Sequence, residues 1–156
     1  MFSQPASVLL PVHHWPQRQT GECLAACAAM ALAYCGRPTA YNRLLRQLNV
    51  RDFGAPFSNL RRLNRLGVKV LISKGDFDQL YSELSRNHPC IASVQTAELP
   101  HWNGRRSEHA VVVVGMDQQY IYLNDPGAPI GRLQVPRGDF DLAWLEQEEL
   151  YAVIIA

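Results

Sequence analysis

The sequence predicts an α+β fold, with helices gathered in its first half and an antiparallel sheet in its second. Three observations predict it. Apolar residues recur at helical spacing between about residues 22 and 66. Beyond residue 67, short runs rich in β-branched and aromatic residues take over, as in "VKVLIS", "CIASVQ", "HAVVVVGMD" and "YIYLND". Strands and helices do not alternate regularly, which argues against repeated βαβ units. The 156 residues suit one domain, 1–156, with a sizeable core, and no repeat or linker divides them.

The elements follow in order. Helix one is expected from about Glu22 to Cys35, started by Thr20 and Gly21 and ended by Gly36 in a left-handed cap. Its alanines allow close packing against a neighbour. A second helix follows Thr39 and carries Tyr41, Leu44, Leu45 and Leu48 on one face. A third, "NLRRLNRLG", follows Ser58 and stops at Gly67. "VKVLIS" is a strand. Asp76 opens the helix "FDQLYSELSRN", "CIASVQ" is a short buried strand, and residues 96–108 form a polar loop. "HAVVVVGMD" and "YIYLND" are two strands of a hairpin, followed by the turn cluster "PGAPIG". "RLQVP" is a further strand, "DFDLAWLEQ" a short helix headed by Asp139 and Asp141, and "YAVIIA" a closing, buried strand rather than a dimer edge. The sheet is expected to pack on helix one.

Bulk composition excludes several classes. With 47% hydrophobic and 19% charged residues and a formal charge of +1, the chain is an ordinary globular one, and nothing in its charge points to nucleic acid or a membrane surface. No apolar run reaches a membrane span. "MFSQPASVLLPV" is a poor signal peptide. Four cysteines without secretory context predict free thiols in a reducing, cytoplasmic setting. Cys23, Cys27 and Cys35 lack the C-x-x-C spacing of a zinc site, and no metal or cofactor is expected.

One stretch invites chemistry: "QRQTGECLAACAAM". Cys23 falls in the first turn of helix one, where the helix dipole favours a thiolate, although the charge of Glu22 opposes it. A nucleophilic thiolate needs an imidazole partner. His109 is the best candidate, because it opens a strand just after a polar loop. A third group must orient that ring. The hairpin returns "YIYLNDP" to His109, and strand parity decides which residue faces it. A three-residue turn presents Asp125, whereas a two-residue turn presents Asn124, and asparagine can also orient a histidine. Acyl transfer further needs oxyanion donors, which the Cys23 N–H and the Gln17 side-chain amide can supply.

In the order Gln, Cys, His, Asp, the chain resembles the papain-like peptidases that process double-glycine (bacteriocin) leader peptides, and their stand-alone relatives. The resemblance rests on "PQRQTGECLAACAAMALAYCG", "HAVVVVG" and "YIYLNDP", spanning residues 16 to 126. It implies a papain-like fold, with a helical half carrying Cys23 against a sheet carrying His109 and Asp125. It implies Cys23 as nucleophile, His109 as general base and acid, Asp125 as orienter and Gln17 as oxyanion donor. The substrate it implies is a peptide cut after small residues such as glycine. The chain departs from the family pattern where Glu22 and Leu24 flank Cys23 in place of aspartate and glycine, and Leu24 adds bulk beside the nucleophile. The same triad can also serve an acyl transferase, a deamidase or an isopeptidase, and a chain without turnover would be a peptide-binding module.

The remaining candidates have plainer readings. Cys27, Cys35 and Cys90 are expected in the core. His13 and His14 are expected satisfied or exposed, with Trp15 anchoring the segment beside them. His88 has no evident role. His101 and Trp102 lie in a surface loop that tucks in one tryptophan, or else border the cleft. Arg61, Arg62 and Arg65 form a solvated basic face, and Asp117 belongs to the hairpin turn, away from His109.

Overall fold

The computed structural model describes residues 7–156. The first six residues, part of the segment read above as a poor signal peptide, lie outside the described residues. Seven strands form one sheet: β1 (Val8–Leu9), β2 (Lys69–Lys74), β3 (Cys90–Gln95), β4 (Glu108–Met116), β5 (Tyr120–Asn124), β6 (Leu133–Pro136) and β7 (Leu150–Ile155). Their order is β2-β7-β3-β4-β5-β6, β1 pairs with β4, and the pairings are antiparallel. The closing strand β7 is inserted between β2 and β3, which buries Tyr151 to Ile154. The helices are α1 (Cys23–Tyr34), α2 (Tyr41–Gln47), α3 (Phe77–Ser85) and α4 (Arg137–Leu145). The α+β expectation holds and the predicted helices and strands are present, but β1 lies outside that expectation. The segment 96–108, expected as a loop, holds two short 3-10 turns, Thr96–Glu98 and Pro100–Trp102, and already enters β4 at Glu108.

α1 is the centre of the helical half. Every residue from Leu24 to Leu32 is buried, so the helix is apolar all round, as a helix enclosed on all sides must be. It packs on β4 and β3 of the sheet and on α2. Alanine at 25, 26, 28, 29 and 31 keeps the helix thin enough for that approach. Leu24, Met30 and Leu32 each contribute roughly 1.5–3 kcal/mol by burial. Both faces of β4 are covered, since Ala110 to Met116 are all buried, and α3 also contacts it. α3 and α4 meet through Phe77, Phe140 and Trp144.

Three local readings need correction. "FSNLRRLNRL", expected as an ordinary helix after Ser58, is 3-10 helix over Phe57–Leu66. Phe57, Leu60, Leu63 and Leu66 recur every third residue, and a helix of three residues per turn stacks them on one line against the core. Asp141 lies in the second turn of α4 rather than at its start, because the helix begins at Arg137. Cys35 is only partly buried, packed against the edge of the core at the end of α1, where its thiol reaches the Leu32 carbonyl at 3.4 Å, while Cys27 and Cys90 are fully buried.

The hairpin register decides what faces His109. Asp117 N–H donates to the Tyr120 carbonyl at 3.0 Å, so the turn itself holds only Gln118 and Gln119. The Asp117 carboxylate closes that turn by accepting from the Gln119 and Tyr120 N–H groups at 2.8 and 2.7 Å. With an unbroken ladder, a two-residue turn would set Asn124 on the His109 face. A β-bulge between Val113 and Gly115 shifts the register, and Val112 then pairs with Asn124. The extra residue reverses parity, so Asp125 comes to the His109 face. β1 packs over the bulge, pairing Leu9 with Gly115. A Cβ at Gly115 would stand 2.6 Å from the Val8 carbonyl and 2.8 Å from Leu9 Cδ1. Gly115→Ala is therefore expected to lower stability by roughly 1–3 kcal/mol in urea unfolding; an unchanged midpoint would mean that β1 moves aside freely.

Candidate active site

The N-terminus of α1 and the start of β4 meet at a cleft of about 920 Å³, bordered by Gln17, Cys23, Trp102, His109 and the 126–129 loop. Cys23 is the first residue of α1, so its N–H is among the four that a helix leaves unpaired. Glu22 offers that end no side-chain cap. Its carboxylate instead accepts from the Tyr41 hydroxyl at 2.8 Å. Burial and this bond push the Tyr41 phenol up to about 12, so it stays a donor. The Arg18 guanidinium lies 4.3 Å from the Tyr41 ring centre. The charge of Glu22 is thus engaged away from Cys23. Leu24 borders the cleft but is only 3% exposed, so most of its bulk lies in the core.

His109 and Asp125 form a buried pair, with His109 Nε2 2.7 Å from Asp125 Oδ1. The Gly127 N–H donates to the same oxygen at 2.8 Å. Because that oxygen is an acceptor, His109 Nε2 carries a hydrogen, which leaves Nδ1 for the cleft. Burial alone would depress the imidazolium. Hydrogen bonds to Asp125 and Cys23, and the charges of both, outweigh it and push His109 up to about 9. Asp125 moves the other way. Burial would raise its carboxyl, yet hydrogen bonds from His101, His109 and Trp102 hold it well below the ordinary range.

The sign of the linkage can be tested. A raised histidine stabilises the fold fully below its ordinary 6.5, and that contribution fades as pH rises toward about 9. The advantage of the wild type over His109→Gln is thus expected to shrink between those limits in thermal melts. A constant difference from pH 6 to 9.5 would overturn the assignment of a charged His109.

Gln17 is held by its backbone, whose N–H donates to the Pro126 carbonyl at 2.8 Å. That bond ties the segment before α1 to the loop after Asp125. Its side-chain nitrogen donates to the Gln19 carbonyl at 3.1 Å. An amide nitrogen has two hydrogens, so one remains for a ligand. Asn124, the alternative orienter, is occupied elsewhere. It donates to the Val12 carbonyl at 3.1 Å and accepts from the Arg132 N–H at 2.9 Å, fastening the entry segment to the turn before β6. His14 is likewise tethered, with Nε2 2.8 Å from the Ala128 carbonyl. His13 packs edge-on against Trp15, and His88 pairs with Glu83 at 3.1 Å.

Sequence reasoning missed what the loop before β4 does. His101 Nε2 and Trp102 Nε1 both donate to Asp125 Oδ2, at 2.6 and 2.8 Å. The Trp102 ring also stands edge-on to His109, with ring centres 5.0 Å apart. The signal was a His-Trp pair shortly before His109, in a segment whose polarity gives a tryptophan no core to enter. Cys27, one turn below Cys23, is different in kind from it. Burial, then the charges of Cys23 and Asp125, push its thiol well up. Among the described residues no group of three or more His, Cys, Asp or Glu side chains is placed to hold a metal ion, and no helix is long and apolar enough to cross a membrane.

The chain belongs to the Peptidase_C39 like family, whose model matches residues 9–151. Its fold is that of the C39 peptidases. A C39-like peptidase structure from Bacillus anthracis superposes with a TM-score of 0.81 at 19% identity, over 97% of this chain and 98% of that one. The peptidase domain of Streptococcus ComA, a bifunctional ABC transporter, gives 0.76 at 19% identity, over 92% and 98%. A double-glycine-motif protease from an AMS/PCAT transporter, solved with its leader peptide, gives 0.72 at 21% identity, over 95% and 94%. Among curated sequences, the uncharacterised protein YvpB of Bacillus subtilis is 32% identical over 119 residues, which is 74% of this chain and 45% of that protein. An uncharacterised protein of Mycobacterium tuberculosis is 45% identical over 51 residues, 31% of this chain and 22% of its own length. The chain therefore spans less than half the length of the curated relatives it matches.

Proposed function

We propose that the chain is a cysteine peptidase that cuts peptides after small residues such as glycine, through Cys23, His109 and Asp125. The observation that carries this reading is that Cys23, at a helix N-terminus, and His109 line one cleft, with His109 bonded at 2.7 Å to the buried Asp125 behind it. An imidazolium and unpaired helix N–H groups both stabilise negative charge on the Cys23 sulfur. The thiolate attacks the substrate carbonyl, a carbon–sulfur bond forms, and the oxyanion is met by the Cys23 N–H and Gln17. His109 gives its proton to the departing amine as the carbon–nitrogen bond breaks. It then takes a proton from water, which attacks the thioester. A carbon–oxygen bond forms, the carbon–sulfur bond breaks, the carboxylic acid leaves, and the thiolate–imidazolium pair of Cys23 and His109 is restored. The preference for small residues is supported by the resemblance and by the double-glycine protease that shares the fold.

The test is incubation with peptides containing internal Gly-Gly steps, read by product mass, with and without a primary amine. Thiol-dependent products bearing water at the new carboxyl are expected. Amine adducts in their place would make the chain a transferase, and no thiol-dependent product from any peptide would sink the reading. Gln17→Ala is expected to lower kcat about a hundredfold with KM little changed, the loss of one oxyanion donor. An unaltered kcat would remove Gln17 from that role.

A further inference from the structure

The carboxylate of Asp125 accepts four hydrogen bonds, two at each oxygen. Oδ1 takes His109 Nε2 and the Gly127 N–H at 2.7 and 2.8 Å; Oδ2 takes His101 Nε2 and Trp102 Nε1 at 2.6 and 2.8 Å. The donors are not equivalent. A histidine nitrogen can lose its hydrogen and become an acceptor, but an indole N–H and a backbone N–H cannot. Each oxygen therefore has one partner that only donates. An asparagine here would turn its NH2 either at Trp102 or at Gly127, donor against donor in a fully buried place, since Asp125 is 0% exposed.

The loop that delivers these donors is itself built in. The Gln95 side-chain oxygen accepts from the Ala97 and Ser107 N–H groups at 3.2 and 2.9 Å. The Thr96 hydroxyl donates to the Arg105 carbonyl at 2.6 Å. On the other side Trp102 is matched by a missing side chain: a Cβ at Gly127 would stand 2.8 Å from Trp102 Cζ2.

We propose that Trp102 and His101 are positioning residues that hold the outer oxygen of Asp125 and so fix the ring of His109, and that the Trp102 indole, together with the Gly127 N–H on the other oxygen, requires this position to be a carboxylate rather than an amide. Neither side chain needs to touch substrate. The kinetic consequence rests on the peptidase reading above, whereas the reactivity of Cys23 does not.

The experiment compares wild type, Asp125→Asn, Trp102→Phe and Asp125→Asn/Trp102→Phe. Three quantities are read: iodoacetamide alkylation of Cys23 at pH 6 mapped by peptide mass, kcat and KM on a Gly-Gly peptide, and the melting temperature. Asp125→Asn is expected to lower kcat about a hundredfold or more, and to slow alkylation at least about tenfold. Trp102→Phe, which keeps a ring against His109 but removes the donor, is expected to lower kcat about tenfold at unchanged KM. The double variant should recover at least about tenfold of the Asp125→Asn loss in alkylation and kcat. With the indole gone, the amide can donate to an unprotonated His101 Nε2 while its oxygen serves His109 and Gly127. Its melting temperature should also exceed that of Asp125→Asn. A double variant no faster than Asp125→Asn overturns the proposal. If Asp125→Asn does not fold, a double variant that folds supports the proposal and one that also fails to fold overturns it. Should the wild type hydrolyse no peptide, the peptidase reading falls, and the order of alkylation rates alone supports or overturns the positioning.

Discussion

Cys23→Ala is expected to abolish peptide hydrolysis, a loss on the order of ten-thousandfold or more, with the fold intact. No neighbouring thiol can substitute. Cys27 is a full turn down α1, fully buried, and its thiol is held in the neutral form by burial and by the adjacent negative charges. Cys35 lies at the far end of the helix and Cys90 starts β3. The substitution should cost little stability, because the Cys23 side chain is only partly buried at the mouth of the cleft. The expected signature is thus a lost kcat and unchanged peptide binding beside at most a small fall in melting temperature, from losing the Cys23 charge that helps hold His109 protonated. A Cys23→Ala protein that still cleaves would place the chemistry elsewhere. If the wild type binds peptides as tightly as the variant and neither turns them over, the chain is a peptide-binding module on the same fold.

Asp125→Ala has the second-largest expected effect, and it should fall on stability and activity together. Four donors lose their acceptor at once: His109, His101, Trp102 and the Gly127 N–H. Breaking a buried, hydrogen-bonded charge pair from one side typically costs about 3–5 kcal/mol. The turnover that survives should be reduced about ten-thousandfold, since His109 is then free to turn and to lose its proton. The stability loss should depend on pH. A lowered carboxyl stabilises the fold above its ordinary 3.8, and that contribution is lost as pH falls toward the lowered value. Urea unfolding should therefore show a wide gap between wild type and variant at pH 7 that narrows in acid. A gap that stays constant down to the acid limit of folding would mean that Asp125 is not ionised in the native protein.

Much of the architecture was legible from local patterns. α1 announces itself by an apolar run with glycines at both ends, and Gly36 takes the left-handed conformation that ends it, at φ +82. Asp76 caps α3 by accepting from the Gln79 N–H, a signal carried by two residues three apart. The exception is instructive. Phe57–Leu66 carries leucines at a spacing of three, and a period between three and four does not separate the two helix types until the core chooses one.

By itself the sequence determined the fold class, the order of the elements after β1 and the short roll of candidates Gln17, Cys23, His109 and Asp125 or Asn124, because periodicity, caps and residue chemistry are local. It could not choose between Asp125 and Asn124. That choice depends on a bulge at Val113–Gly115, where β1 crosses β4 from a hundred residues away, and one inserted residue inverts every side chain beyond it. Nor could it reveal that His101 and Trp102 serve Asp125, because hydrogen bonds spanning 24 and 23 residues have no period to read. Only the folded loop brings those donors to the carboxylate.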